Sequence, residues 1–375
     1  MANRTKDLGV AKQEFDTSLN KTIELIDYLG TASTCLYESL NSIQDVFDKI
    51  RGIPDENKIH YQSIIEMRKA WKKQVDDIQD ETKKGTKNTT PEINNIEIGV
   101  TTIAVSPSLA AGLATCFETL TLGLLAPSLG GIPTLAAAIA IGAAPIIEPV
   151  SAIIACIFLL KVQSDIDCAN NIFARICEKN TKAYERSMVE ITERIARIHS
   201  ENNKLIHGVE RLKGFGINYK KMTAEQKFEL GTYMNLMLSA TQLIVRPIDG
   251  LQPYYSDRDF DNYILSLNDL IDKKDDEYLL SSDLKQNTNQ HLSEKDLNLL
   301  ERTSILKKKK YAIENKTLLM YLCNLLHGIH LNLREKKVLC KCLAGNSEFL
   351  NRFSLKAEDI NESIIDTSIN MLLVR

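Results

Sequence analysis

The side chains able to do chemistry in this chain are six histidines, eight cysteines and a scatter of carboxylates. Their spacing points to little that is catalytic. There is no Walker phosphate loop, no G-x-S-x-G elbow, no H-E-x-x-H helix and no G-x-G-x-x-G turn. Cys323, His327 and His330 stand four and three residues apart, which on one helix would put three zinc ligands on a single face. No acidic fourth ligand accompanies them, and a helix-dense chain produces such spacings by chance, so no metal is expected. Cys340 and Cys342 lack a second pair. The expectation for the cysteines is free thiols acting as small hydrophobes. No cofactor, catalytic residue or enzymatic activity is expected.

Two carboxylates are more informative. Glu118 and Glu148 are the only charges in residues 98–160. An ionised carboxylate in apolar surroundings is costly, so its pKa should rise. In lipid such groups would line a lumen, meet each other or take up protons, which makes them candidate lumen or pH-sensing groups. In water they would simply help to keep the stretch soluble.

The stretch around them is rich in Ala, Leu, Ile, Gly and Thr. A bilayer core is spanned by roughly 20 apolar residues in a helix, and this block is about three times that length. Pro127, Gly130, Gly131 and Pro133 carry the strongest turn signal inside it. The expected form is an apolar hairpin with its tip at Gly130, Gly131 and Pro133, and a return arm broken near Glu148. The expected membrane-inserting positions are Leu109, Leu113, Phe117, Leu120, Leu124, Leu125, Ile132, Leu135, Ile139, Ile141, Ile146, Ile153, Ile157 and Phe158.

The flanking chain supplies the elements that must hold this block. Leu36, Leu40, Ile43, Phe47 and Ile50 step by fours and threes, a helical seam beginning near Phe15, and Gly30 weakens its middle. Ile64, Trp71, Val75 and Ile78 mark a second helix over 56–84, ended by a breaker at Gly85. The longest seam starts at Val162, Ile166, Ala169, Phe173 and Ile176 and slips by one residue between Ala183 and Tyr184. It then continues through Ile191, Ile198 and Leu205 to Leu212. At 1.5 Å per residue that helix is about 75 Å long. Thr223 to Gln226 reads as a capping box opening a helix that stops before Pro247. Residues 249–310 read as charged and loop-like. Lys307 to Lys310 could touch acidic headgroups, though an exposed helix end is the plainer reading. Short amphipathic helices are expected over 311–329, 334–343 and 358–373.

The fold class expected is all-α: an elongated bundle of long amphipathic or coiled-coil helices, a central hydrophobic insertion hairpin and a small helical C-terminal region. Its parts are bundle helices in 1–97, the insertion segment 98–161, the return and bundle helices 162–247, a charged linker 248–310 and a tail domain 311–375. The chain has 375 residues, 44% of them hydrophobic and 25% charged, so the apolar material is concentrated rather than spread. The mean hydropathy of -0.17 is too low for a multi-span membrane protein. A net charge of -3 gives no basic field to draw nucleic acid. The polar start, from Met1 to Leu8, lacks the apolar core of a secretory signal. Export without a cleaved signal, followed by insertion in a target membrane, is the expected route. The alternative is a cytoplasmic or intracellular membrane-associated protein.

So large an apolar block in a soluble-looking chain must be embedded, buried as core, or sheltered and later released. The third fits an apolar tip carried between two long helices, since patches of that size are not left open on monomers. The layout of the seams at 36–50, 64–78 and 162–212 around 98–160 resembles the helical pore-forming toxins of the cytolysin A and haemolysin BL/non-haemolytic enterotoxin type, over about residues 15 to 247. That resemblance implies a soluble form that assembles at a lipid membrane into a permeabilising oligomer, with copies of itself or partner toxin subunits. In outline the chain is also similar to apolipoprotein L, which implies membrane association without a pore. A coiled-coil scaffold that never meets lipid is a third class.

Overall fold

The structure, a computed structural model, describes residues 7–87, 160, 162–282 and 294–372. The fold is all-α. Helices α1 (Leu8–Phe47), α2 (Asp55–Lys87), α3 (Gln163–Lys213) and α4 (Ala224–Val245) are followed by α5 (Asp257–Ser282) and α6 (Glu294–Glu314). Four shorter helices close the chain: α7 (Lys316–Leu326), α8 (Leu333–Gly345), α9 (Ser347–Arg352) and α10 (Glu362–Leu372). Two compact units result. Unit 1 takes the described residues of Met1–Val150 and Phe173–Gln252, and unit 2 those of Ser151–Ile172 and Pro253–Arg375.

Unit 1 holds α1, α2, α4 and all but the first turns of α3. Rings pair Phe15 with Tyr184 at 5.8 Å and Tyr28 with His199 at 6.2 Å, so α1 and α3 run parallel. Tyr37 meets Trp71 at 5.4 Å and Phe47 stacks on Tyr61 at 5.5 Å, so α2 runs back along α1. Arg211 on α3 pairs with Glu229 near the start of α4, and Arg194 on α3 donates to the Pro247 carbonyl beyond the end of α4, so those two run antiparallel. Gly208 lets them approach closely, since a Cβ there would lie 2.5 Å from the Tyr233 ring. The seam residues Leu36, Leu40, Ile43, Phe47, Ile64, Trp71 and Val75 are all buried.

Three details of unit 1 differ from the sequence reading. Helix α1 starts at Leu8 rather than near Phe15, because Asp7 caps the Gly9 N–H and Ala11, Phe15, Ser18 and Thr22 carry the seam back by fours and threes. It also runs unbroken through Gly30, which is buried, so packing offsets that residue's weak helix propensity. Helix α2 likewise passes through Gly85 to Lys87. The slip in α3 has a structural cause. Tyr184 faces Phe15 of α1, while the backbone of Ala183 and the hydroxyl of Ser187 lie against Gly250. Two neighbours thus share one stretch of helix.

Unit 2 contains the start of α3, α5 to α10 and a 3-10 turn at Ala357–Asp359. Residues 257–282 and 294–314 are helical, where the charged composition suggests a loop-like linker. The reason lies in α5's buried Phe260, Tyr263, Leu267 and Ile271, a helical face spaced by three and four among many charges. Helices α5 and α6 pack on each other, α10 packs on α7 and α8, and α9 on α8. Asn324, buried in α7, accepts from the Tyr255 N–H at 2.8 Å and donates to the Tyr255 carbonyl at 3.0 Å. Tyr321, Phe349 and Phe353 form an aromatic cluster with centroids 5.0 to 5.8 Å apart. The helix expected over 311–329 breaks at Asn315 and ends at Leu326.

Candidate functional site

The helix directions single out one end of unit 1. Helix α2 runs toward the end at which α3 enters the unit at Phe173. The opposite end is closed. There the Arg51 N–H donates to the Ile217 carbonyl at 2.7 Å and the Tyr219 N–H to the Arg51 carbonyl at 3.0 Å, clipping the α1–α2 turn to the α3–α4 connection. Tyr61 donates to Asp48 at 2.7 Å beside it. Thr223 and Gln226 complete the expected capping box, each side chain accepting from the other's N–H at 3.2 and 3.0 Å.

The open end carries buried polar chemistry instead. Asn180 of α3 is 1% exposed, and neither polar atom of its side chain has a hydrogen-bond partner. A buried amide left in that state costs about 1–3 kcal/mol. Next to it, burial pushes the Lys179 ammonium down to about 7. Burial, reinforced by the charge of Asp16, pushes the Cys177 thiol up to about 12. Asp16 on α1 is itself raised, by burial first, against the opposing pull of Lys12. A thiol so raised stays protonated and is a poor nucleophile. The chemistry on offer is electrostatic rather than catalytic: charged groups that α1 and α3 hold partly out of water.

Further along α3 a clamp secures the chain after α4. The Arg194 guanidinium, 7% exposed, donates to Glu190 at 2.6 Å, to the Pro247 carbonyl at 3.0 Å and to the Arg246 carbonyl. Glu190 in turn accepts from the Asp249 N–H at 2.8 Å. These carbonyls lie just past α4's last turn, where a helix leaves its acceptors unpaired and a cation is favoured. Ser187 donates to the Asp249 carbonyl at 3.1 Å. A groove of about 510 Å³ runs beside the clamp, lined by Glu193, Arg197, Ser239, Gln242 and Arg246 among others. Its lining carries charges of both signs beside Leu243.

The apolar positions from Leu109 to Phe158, the turn at Gly130, Gly131 and Pro133, and Glu118 and Glu148 all lie outside the described residues. Among the described residues no helix is long and apolar enough to cross a membrane. Nor do those residues hold any group of three or more His, Cys, Asp or Glu able to bind a metal. Cys323, His327 and His330 do not share a helical face, because α7 ends at Leu326 and Gly328 turns the chain at φ +70°. Cys323 donates to the Ser368 carbonyl at 3.1 Å and His327 stacks on Tyr254 at 4.3 Å. Sequence reasoning missed Lys179 and Arg194. Arg194 had a visible signal, since Glu190 stands four residues before it. Neither a family model nor a curated protein nor a solved structure matches this chain.

Proposed function

We propose that this protein is a non-enzymatic, membrane-inserting, pore-forming protein. It shelters residues 98–160 in a water-soluble form and inserts them, as an oligomer, into a target membrane. The observation that carries this reading is the charge count: two carboxylates across a stretch long enough for two or three spans. The attachment supports it. The chain enters that stretch from α2, which runs toward the end of unit 1 with a buried unpartnered amide and a desolvated lysine. The far end is locked by backbone hydrogen bonds, so a change at the open end can leave the rest of the unit folded.

A second reading, an intracellular membrane-associated protein without a pore, draws on the buried, protonated thiols Cys177, Cys323 and Cys340. Release of dye from loaded liposomes separates the two. Leakage supports the pore. Binding without leakage favours the second reading, and no binding to any vesicle leaves a helical scaffold.

A further inference from the structure

We infer that α6 is a docking surface for anionic lipid bilayers, separate from the insertion element. Four consecutive lysines, Lys307 to Lys310, lie on this helix, and Leu306 and Ile313 are 40% and 54% exposed. Leu306 and Ile313 are seven residues apart and so fall on one line along the helix. Lys309 and Lys310, three and four residues beyond Leu306, bracket that line. An apolar ridge flanked by lysines suits a bilayer interface: the ridge enters the headgroup layer while the long lysine stems reach back to the phosphates. Among the described residues the only ion pair these lysines make is Lys310 with Glu314, at 3.8 Å and well exposed. Among the described side chains of the neighbouring α5, the exposed acids Asp261, Asp269 and Asp272 form no ion pair with them. Ala312, fully buried, lies roughly 100° round α6 from Ile313 and holds the helix on that side. The ridge therefore stays outward while the helix is held.

The partner implied is a surface of negative charge with an apolar layer beneath it, which describes a bilayer containing phosphatidylserine or a similar acidic lipid. This surface rests on the membrane reading for its role but not for its detection. Salt-labile docking belongs to α6, and salt-resistant association with leakage belongs to residues 98–160.

The test is flotation of the full chain with vesicles of phosphatidylcholine alone and with a third of phosphatidylserine, at low and high salt. The parent is expected to bind the acidic vesicles at least tenfold more tightly, with binding weakened by salt. Replacing all four lysines together, Lys307→Gln, Lys308→Gln, Lys309→Gln and Lys310→Gln, should remove that preference. Replacing the same four by Arg should keep it, which separates charge from misfolding. Leu306→Ser with Ile313→Ser should weaken binding with the salt dependence intact. Equal binding to both vesicle types, no binding, or an unchanged preference in the glutamine variant would each overturn the proposal. Salt-labile binding without leakage would support α6 docking while sinking the pore.

Discussion

Arg194 offers the sharpest check on how unit 1 is held together. Replacing it by Met keeps the length and apolar stem of the side chain but removes the guanidinium. The bonds to Glu190 and Pro247, at 2.6 and 3.0 Å, go with it, as does the bond to the Arg246 carbonyl. Breaking a buried ion pair from one side costs about 3–5 kcal/mol. Glu190 is 30% exposed and can regain water, which favours the low end, about 3 kcal/mol. Glu190→Gln keeps an acceptor for the Asp249 N–H and should cost only about 1 kcal/mol. The readout is built in. Trp71 is the chain's one tryptophan, sits in unit 1 and is 2% exposed, so its emission during urea unfolding follows that unit alone. With a slope of about 2–3 kcal/mol per molar urea, Arg194→Met should lower the midpoint by about 1 M. A loss within about 0.5 kcal/mol of zero, or smaller than that of Glu190→Gln, would refute the clamp.

Gly250 has φ +85°, and a Cβ there would lie 2.7 Å from the Ser187 hydroxyl and 3.2 Å from the Ala183 carbonyl, so Gly250→Ala should lose about 2–3 kcal/mol by the same Trp71 assay. Lys179 is held near 7 against an ordinary value of 10.5, so between those values the unfolded chain binds more protons than the folded one. The stability of unit 1 should therefore rise with pH across that window, by about 1–2 kcal/mol for a part-buried group, and Lys179→Met should flatten the rise. Leu124→Asp or Ile139→Asp should abolish liposome leakage, since a charge at the bilayer centre costs about 2.5–3.5 kcal/mol, while far-UV helicity stays unchanged.

Much of the helical frame is legible in the residues. The fours and threes of 36–50 and 64–75, the capping box at Thr223 and the stop before Pro247 are local signals, and local physics decides them. What reads poorly depends on packing. Gly30 and Gly85 are breakers by propensity, yet tertiary contacts or neighbouring turns carry the helix through them. The α5 face of Phe260, Tyr263, Leu267 and Ile271 is masked by the charges around it. The slip at Ala183 and Tyr184 looks like a defect until Gly250, far away in sequence, is seen to occupy the second face. The part-buried state of Lys179 and the buried state of Asn180 have no local signature at all, because they are set by which helices surround them. The apolar block itself is the plainest feature of the sequence, and its charge count needs no structure to read.

The central claim is that residues 98–160 pass from a sheltered state into lipid. Hydrogen exchange followed by mass spectrometry, on the full chain with and without vesicles, reports on peptides from that stretch separately from α1 to α4. Vesicles are expected to slow exchange strongly across 98–160 and to leave the locked end of unit 1, around Arg51 and Tyr219, unchanged. Exchange across 98–160 that is the same with and without lipid, under conditions where the protein floats with the vesicles, would contradict the account.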